Sequence, residues 1–263
     1  MRTFATHRTG LTVECKTRAN VTATIVCSDG LSVVTTLSRR HIALIVAAAF
    51  ILVIFAALLM PQPIWRYRLT VDVDTPEGMR SGSGVIQVKV DRGRRRTTAA
   101  GEAVMVDLGK RGSFFVLLRS EQNADNAVYI YSAAFPGPAP GTPEGISFYH
   151  ALRAEANVPE SVMPMFVRLY DLSNPRSLAR VEKSNLSASF GKGVNLKAVR
   201  IEMVSSGIPI GPLDRLTGTP VTRTLRSKIP WLSDYPEPRL VPVTNPYDYA
   251  PMSNLVHGDF SKW

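Results

Sequence analysis

The 263-residue sequence predicts an α+β, β-rich fold, mainly antiparallel sheet with a few short helices, carried on one N-terminal transmembrane helix. Three observations predict it. The run His41–Met60, HIALIVAAAFILVIFAALLM, carries no charge, Pro or Gly in the nineteen residues after His41. From Trp65 to Asp74 apolar and polar residues alternate strictly, the period of a half-buried strand. Beyond that, short β-branched runs recur between Gly, Pro and charged clusters.

Composition narrows the classes further. Apolar residues make up 45% of the chain, too many for a mainly disordered one. Gly 18 and Pro 19 without a G-X-Y period exclude collagen-like and low-complexity chains. Two Cys exclude a disulfide-stapled scaffold and any multi-Cys metal module. The net charge is +10, and residues 64–263 hold 25 Lys and Arg against 19 Asp and Glu, spread along the chain.

Residues 1–40 are expected to be a cytoplasmic N-terminal segment, and it is irregular. Its first 33 residues show no sustained period, whereas Val34 opens a compact basic stretch that feeds the apolar run. The expectation is that translation starts near Val34 and that 1–33 is not part of the native chain.

Residues 41–60 are expected to form the transmembrane helix. Twenty helical residues at about 1.5 Å each span roughly 30 Å, the thickness of a hydrocarbon core. A core helix would show a polar face, and this run has none. A cleaved signal peptide is the nearer rival, but its apolar region is shorter and a small-x-small site follows it. Here the run ends Phe55-Ala-Ala-Leu-Leu-Met60, then Pro61 and Pro63 stop the helix. The expected membrane-interface residues are Arg39 and Arg40 before the span, and Trp65 and Tyr67 after it as an aromatic belt. Flanking charges are nearly balanced. The first flank and the length of the following domain favour a cytoplasmic N-terminus, with residues 64–263 outside.

Residues 64–232 are expected to form the extracytoplasmic domain. In its first strand Trp65, Tyr67, Leu69, Val71 and Val73 share one face. Thr75-Pro-Glu-Gly78 turns the chain, and Ile86, Val88 and Val90 return it as a hairpin with one wet face. Further strands are expected at Ala103–Leu108, Ser113–Arg119, Ala127–Ser132, Met165–Leu172 and Leu196–Ser205. Helices are expected at Gly145–Glu155, from Ser184 to Gly191, and at Pro220–Ile229. Prolines at 236, 238, 242, 246 and 251 predict an extended C-terminal tail, 233–263, lying over the surface or leaving it.

The segments WRYRLTVDVDTPEGMRSGSGVIQV, GEAVMVDLG, MFVRLYDLSNPRSLARVE and ASFGKGVNLKAVRIEM resemble a set of uncharacterised single-anchor membrane proteins of proteobacteria. The resemblance covers about residues 38–235. It implies a bacterial envelope protein of the inner membrane with a periplasmic domain, and it carries no activity or cofactor.

The residues themselves offer few chemical constellations. Arg92, Arg94, Arg95 and Arg96 form the densest basic run, suited to lipid headgroups or an acidic polymer, or else a solvated hairpin tip. No helix-turn-helix or aromatic RNA-binding pattern accompanies it, so no nucleic-acid partner is expected. His150, with Ser147 or Ser132 and Asp171, is the imaginable hydrolase set, without a nucleophile elbow: Gly82-Ser83-Gly84 is too tight for G-x-S-x-G. Asp72 and Asp74 share a strand face and are expected to pair with basic residues such as Lys89. Gly191-Lys192-Gly193 reads as a helix stop, and Asn185-Leu-Ser187 as an incidental sequon.

No catalytic residue, metal site or cofactor is expected. The expected function is a membrane-anchored, non-catalytic binding or structural domain with an envelope protein as partner and the bilayer held through 41–60. The alternatives are an envelope hydrolase with an unrecognised site, or an accessory subunit of a larger membrane complex.

Overall fold

The computed structural model describes residues 21–26, 32–37, 39–58, 64–91, 96–208, 213–234, 240 and 255–263. The chain divides into two units at residue 60. In the first, β1 (Val21–Val26) pairs antiparallel with β2 (Ser32–Leu37), so β-branched residues make a hairpin in a stretch without sequence period. Helix α1 then runs twenty residues, Arg39–Leu58. Among the described residues no helix is long and apolar enough to cross a membrane. Within α1, the side chains of Ile42 and of residues 53–58 lie outside the described ones.

The second unit is α+β with antiparallel sheets and short helices, as the sequence predicts. Its first strands are β3 (Ile64–Thr75) and β4 (Gly78–Asp91), joined at the predicted turn with Thr75 opposite Gly78. All five apolar residues of β3 from Trp65 to Val73 are buried, as are Ile86, Val88 and Val90. Strand β5 (Arg96–Glu102) follows and was not legible in the sequence. Strands β6 (Val104–Asp107) and β7 (Ser113–Ser120) match expectation.

Ala127–Ser132, expected as a strand, is instead part of helix α2 (Asn126–Ala134). Of its buried residues Asn126, Ala127, Val128, Ile130 and Tyr131, three (Ala127, Ile130 and Tyr131) fall at helical spacing in the main core, and Ala134 continues that stripe. The β-branched Val128 and Ile130 hid that period. Helix α3 (Pro143–Ala151) is set by Thr142, whose Oγ1 accepts from the Gly145 N–H at 3.1 Å, and by Pro143 at its first turn.

Next come β8 (Glu155–Asn157), β9 (Pro164–Leu169) and β10 (Leu178–Arg180). Helix α4 (Leu186–Phe190) is capped by Asn185, which accepts from the Ala188 N–H at 3.1 Å, so the helix opens two residues after the expected Ser184. It stops at Gly191, whose φ of 94° suits only glycine. Strand β11 (Asn195–Val204) precedes α5 (Leu213–Thr217) and α6 (Leu225–Lys228). The predicted helix at Pro220–Ile229 shrinks to α6. Val85 of β4 bonds Thr222 through both its N–H and its carbonyl, which holds that stretch extended. Helix α7 (His257–Phe260) and β12 (Ser261–Lys262) close the chain.

The strands make two sheets. The larger has the order β12-β5-β4-β3-β11-β8, the smaller β10-β9-β7-β6. Every described pairing is antiparallel. The sheets approach closely at Gly82, where a Cβ would lie 2.3 Å from the Met105 carbonyl oxygen of β6. The Gly82-Ser83-Gly84 run is therefore a crossing point within β4.

One core lies between the inner face of the larger sheet, α2, α3 and one face of β7, where Phe114, Val116 and Leu118 point. The other face of β7, with Phe115 and Leu117, packs on Leu225, Ile229, Trp231, Leu240, Leu255 and Phe260. Strand β7 is thus buried on both faces. The stretch 233–263, expected over the surface or away from it, includes three of those core residues. Proline frequency masked them. Phe260 is fully buried, and its carbonyl accepts from the Ala103 N–H at 2.8 Å.

The outer face of the first hairpin is drier than expected. Arg66 is buried at 2% exposure and donates to Gln87 Oε1, Asp214 Oδ2 and the carbonyls of Asp214 and Thr219, all at 2.9–3.0 Å. The segment that carries α5 folds over it. Further along the same face, cross-strand ion pairs run over β3, β11 and β8. Arg200 bonds Asp72 at 2.9 Å and Glu155 at 2.6 Å, and Arg68 bonds Glu202 at 2.5 Å. Asp74 pairs with Lys197 at 3.7 Å. Lys89, the expected partner of Asp72 and Asp74, stands opposite Ile64 at the far end of the hairpin.

Candidate functional site

Trp65 and Tyr67, expected as an interfacial aromatic belt, face the protein core at 0% exposure. Trp65 meets Tyr131 edge-on at 5.3 Å between ring centroids and Tyr149 at 5.6 Å. Tyr67 donates to the Ala127 carbonyl at 2.7 Å. These rings seat α2 and α3 on the sheet, and burial raises the phenol pKa of Tyr67 and of Tyr131. Arg39 opens α1, Arg40 is exposed, and the side chain of Arg39 lies outside the described ones. Arg92, Arg94 and Arg95 lie outside the described residues. Arg96 is exposed at the start of β5.

The imagined hydrolase set is not brought together by any described bond. Ser132 Oγ donates to the Tyr129 carbonyl at 2.8 Å. Asp171 accepts from the hydroxyl and the N–H of Ser173, at 2.7 and 2.9 Å, bonds that hold its carboxyl below the ordinary range. The Nε2 atom of His150 is buried with no described hydrogen-bond partner, and Ser147 is exposed on the same helix. Among the described residues no group of three or more His, Cys, Asp or Glu converges as a metal site would require.

What the fold does build is an open sheet edge between two grooves. The inner edge of β5 pairs with β4 from Arg96 to Ala100. Its outer edge pairs with β12 only at Gly101 and Glu102. Among the described residues, Arg96–Ala100 has no strand partner on that outer side. Strand β12 covers only two residues of that edge, and Phe260 beside it is buried in the second core.

A groove of about 750 Å³ lies along Thr98, Ala99 and Ala100, walled by Leu232, Ser233 and the α7–β12 turn. A second, of about 630 Å³, lies along Arg96–Ala99, walled by Val128 and Tyr129 of α2. The two share Thr98, Ala99 and Lys262. Small side chains at 98–100 leave the edge backbone open between them.

The charge around this edge is mixed, with a small excess of cations. Arg96, Arg223, Arg226 and Lys262 line or flank the grooves, against Asp125, Asp234 and Asp91, which stands opposite Arg96 on β4. Lys262 Nζ bonds Asp125 Oδ1 at 3.0 Å and the Ala124 carbonyl at 3.1 Å. The Arg223 guanidinium stacks 4.0 Å over the ring of Trp263, which remains 46% exposed at the groove mouth.

Sequence reasoning missed this site because Arg96-Thr-Thr-Ala-Ala-Gly-Glu102 has no apolar alternation. Its two threonines were the only strand signal. Of the cations, only Arg96 belongs to the basic run seen in the sequence, and Arg223, Arg226 and Lys262 lie far from it along the chain. Comparison with protein-family models, with curated proteins and with solved structures gives no match.

Proposed function

We propose that the chain is a single-pass, membrane-anchored protein of the bacterial envelope whose β-rich domain binds a partner outside the cytoplasm and performs no catalysis. The observation that carries the reading is the character of α1. Its described large side chains, Leu44, Ile45, Val46, Phe50, Ile51 and Leu52, are 58–70% exposed. At 100° per residue they point around the whole helix. Leaving six such groups in water forfeits about 1.5–3 kcal/mol each, together on the order of 10 kcal/mol, as much as a whole domain's stability. A bilayer removes that cost, and the apolar sequence continues to Met60.

The open, cationic edge of β5 supports the binding half of the reading. The test is extraction of native membranes with alkaline carbonate. The full chain stays in the pellet, and deletion of 41–60 releases it. A mature chain whose mass begins after residue 60, recovered in the soluble fraction, overturns the anchor in favour of secretion.

A further inference from the structure

We infer that the outer edge of β5, from Arg96 to Ala100, is a strand-addition site for an extended acidic peptide segment of a protein partner. The inference deepens the binding role proposed above and rests on that reading.

Three features converge on it. The first is the unpaired backbone. One strand edge is satisfied by β4, while the other, from Arg96 to Ala100, has no strand partner among the described residues. Proteins ordinarily cover or charge such an edge, because any extended chain can pair with it.

The second feature is the pair of grooves. Side chains of a strand leave alternately to opposite faces. An added strand beside 96–100 meets the groove walled by α2 with one set of side chains. With the other it meets the groove walled by Leu232 and α7. Strand addition takes its affinity from main-chain bonds and its selectivity from alternate pockets of this kind.

The third feature is charge. Four cationic groups stand around the edge against three carboxylates; Asp125 holds Lys262 and Asp91 stands opposite Arg96, so the excess of positive charge lies at Arg223 and Arg226. Arg223 and Arg226 are both exposed, on the side of the larger groove. The complement is an extended segment with acidic side chains at alternate positions. A basic segment is repelled.

The test uses the full chain in lipid nanodiscs and a fluorescent synthetic peptide of about six residues, the usual length of a strand, alternating Asp and Val. The acidic peptide binds, with an affinity that falls as salt rises, and its Lys-for-Asp counterpart does not. N-methylation of the peptide backbone at one alternate set of residues abolishes binding, and at the other set leaves it intact, because only one set of N–H groups faces β5. Arg223→Glu with Arg226→Glu, both at exposed positions, weakens the acidic peptide about tenfold.

Three results overturn the inference: no binding of the acidic peptide, equal binding of the basic one, or equal sensitivity to both N-methylation sets. Occupation of the edge by a second copy of the chain, which the peptide fails to displace, also overturns it. Integration of the chain in the bilayer is scored separately by carbonate extraction. Failure of the peptide therefore leaves the anchor reading intact, and failure of the anchor leaves the peptide result readable.

Discussion

Replacing Arg66 by Met tests how the outer face of the first hairpin is closed. The guanidinium is 2% exposed, and it makes four hydrogen bonds to three residues: Gln87, Asp214 and Thr219. Its pKa is lowered by burial first, with the Asp214 carboxylate working in the opposite direction. Methionine fills most of the volume of the stem but supplies no donor. It leaves the Asp214 carboxylate and two carbonyls facing an apolar group. Breaking one side of a buried ion pair costs about 3–5 kcal/mol, which lowers the folded-to-unfolded ratio by roughly two to four powers of ten.

The geometry also predicts a partial rescue. Asp214→Leu added to Arg66→Met removes the orphaned charge, and replacing both members of such a pair is often close to neutral. The assay is pulse proteolysis of the full chain in detergent across a urea series, with cleavage sites mapped between 205 and 222. The single variant shifts the midpoint strongly and the double variant recovers much of it. A single-variant loss below about 1 kcal/mol, the value of an exposed pair, refutes the argument that this face is closed.

Four further outcomes follow from the packing and the ion pairs. Phe260→Ala removes a fully buried ring that stands 5.9 Å from Phe115 and 5.5 Å from Trp231, and costs about 3–5 kcal/mol; hydrogen exchange at Ala103, whose N–H bonds the Phe260 carbonyl, accelerates with it. Trp65, as the sole tryptophan after Trp231→Phe and Trp263→Phe, escapes quenching by brominated lipids, whereas an interfacial Trp65 is quenched. Glu77 titrates at about 2, below the ordinary 4.5, because Arg111 bonds its carboxylate at 2.9 and 3.1 Å. Its contribution to stability is present above its unfolded pKa and is lost as pH falls through about 2, and carbon-detected NMR of the side-chain carboxyl reads the midpoint. Asp259 works the other way: burial raises it, so its contribution falls as pH climbs above its ordinary 3.8.

The parts of the fold that sequence reasoning found share one property: a single period dominates them. In β3 the alternation from Trp65 to Asp74 survives into the structure, and the turn at Thr75–Gly78 carries Pro and Gly where the chain reverses. Helix α2 went astray because Val128, Tyr129, Ile130 and Tyr131 suit either state, and only the tertiary placement of Ala127, Ile130 and Tyr131 decides between them. The burial of Trp65 and Tyr67 was illegible for a related reason. An aromatic residue just after an apolar span looks the same whether its ring meets lipid or Tyr131. Arg66 gave no signal because its partners Asp214 and Thr219 are about 150 residues away. The candidate edge on β5 is a property of what β12 fails to cover, and no local pattern encodes the end of a neighbouring strand.

The most direct measurement is the location of the C-terminal domain. Paired C-terminal reporters, one active only outside the cytoplasm and one active only within it, are fused to the full chain after Trp263. The first reporter is active and the second silent, and deletion of 41–60 releases the fusion from the membrane. Activity from the cytoplasmic reporter alone contradicts that location, and would place Arg96, Arg223 and Arg226 before cytoplasmic partners.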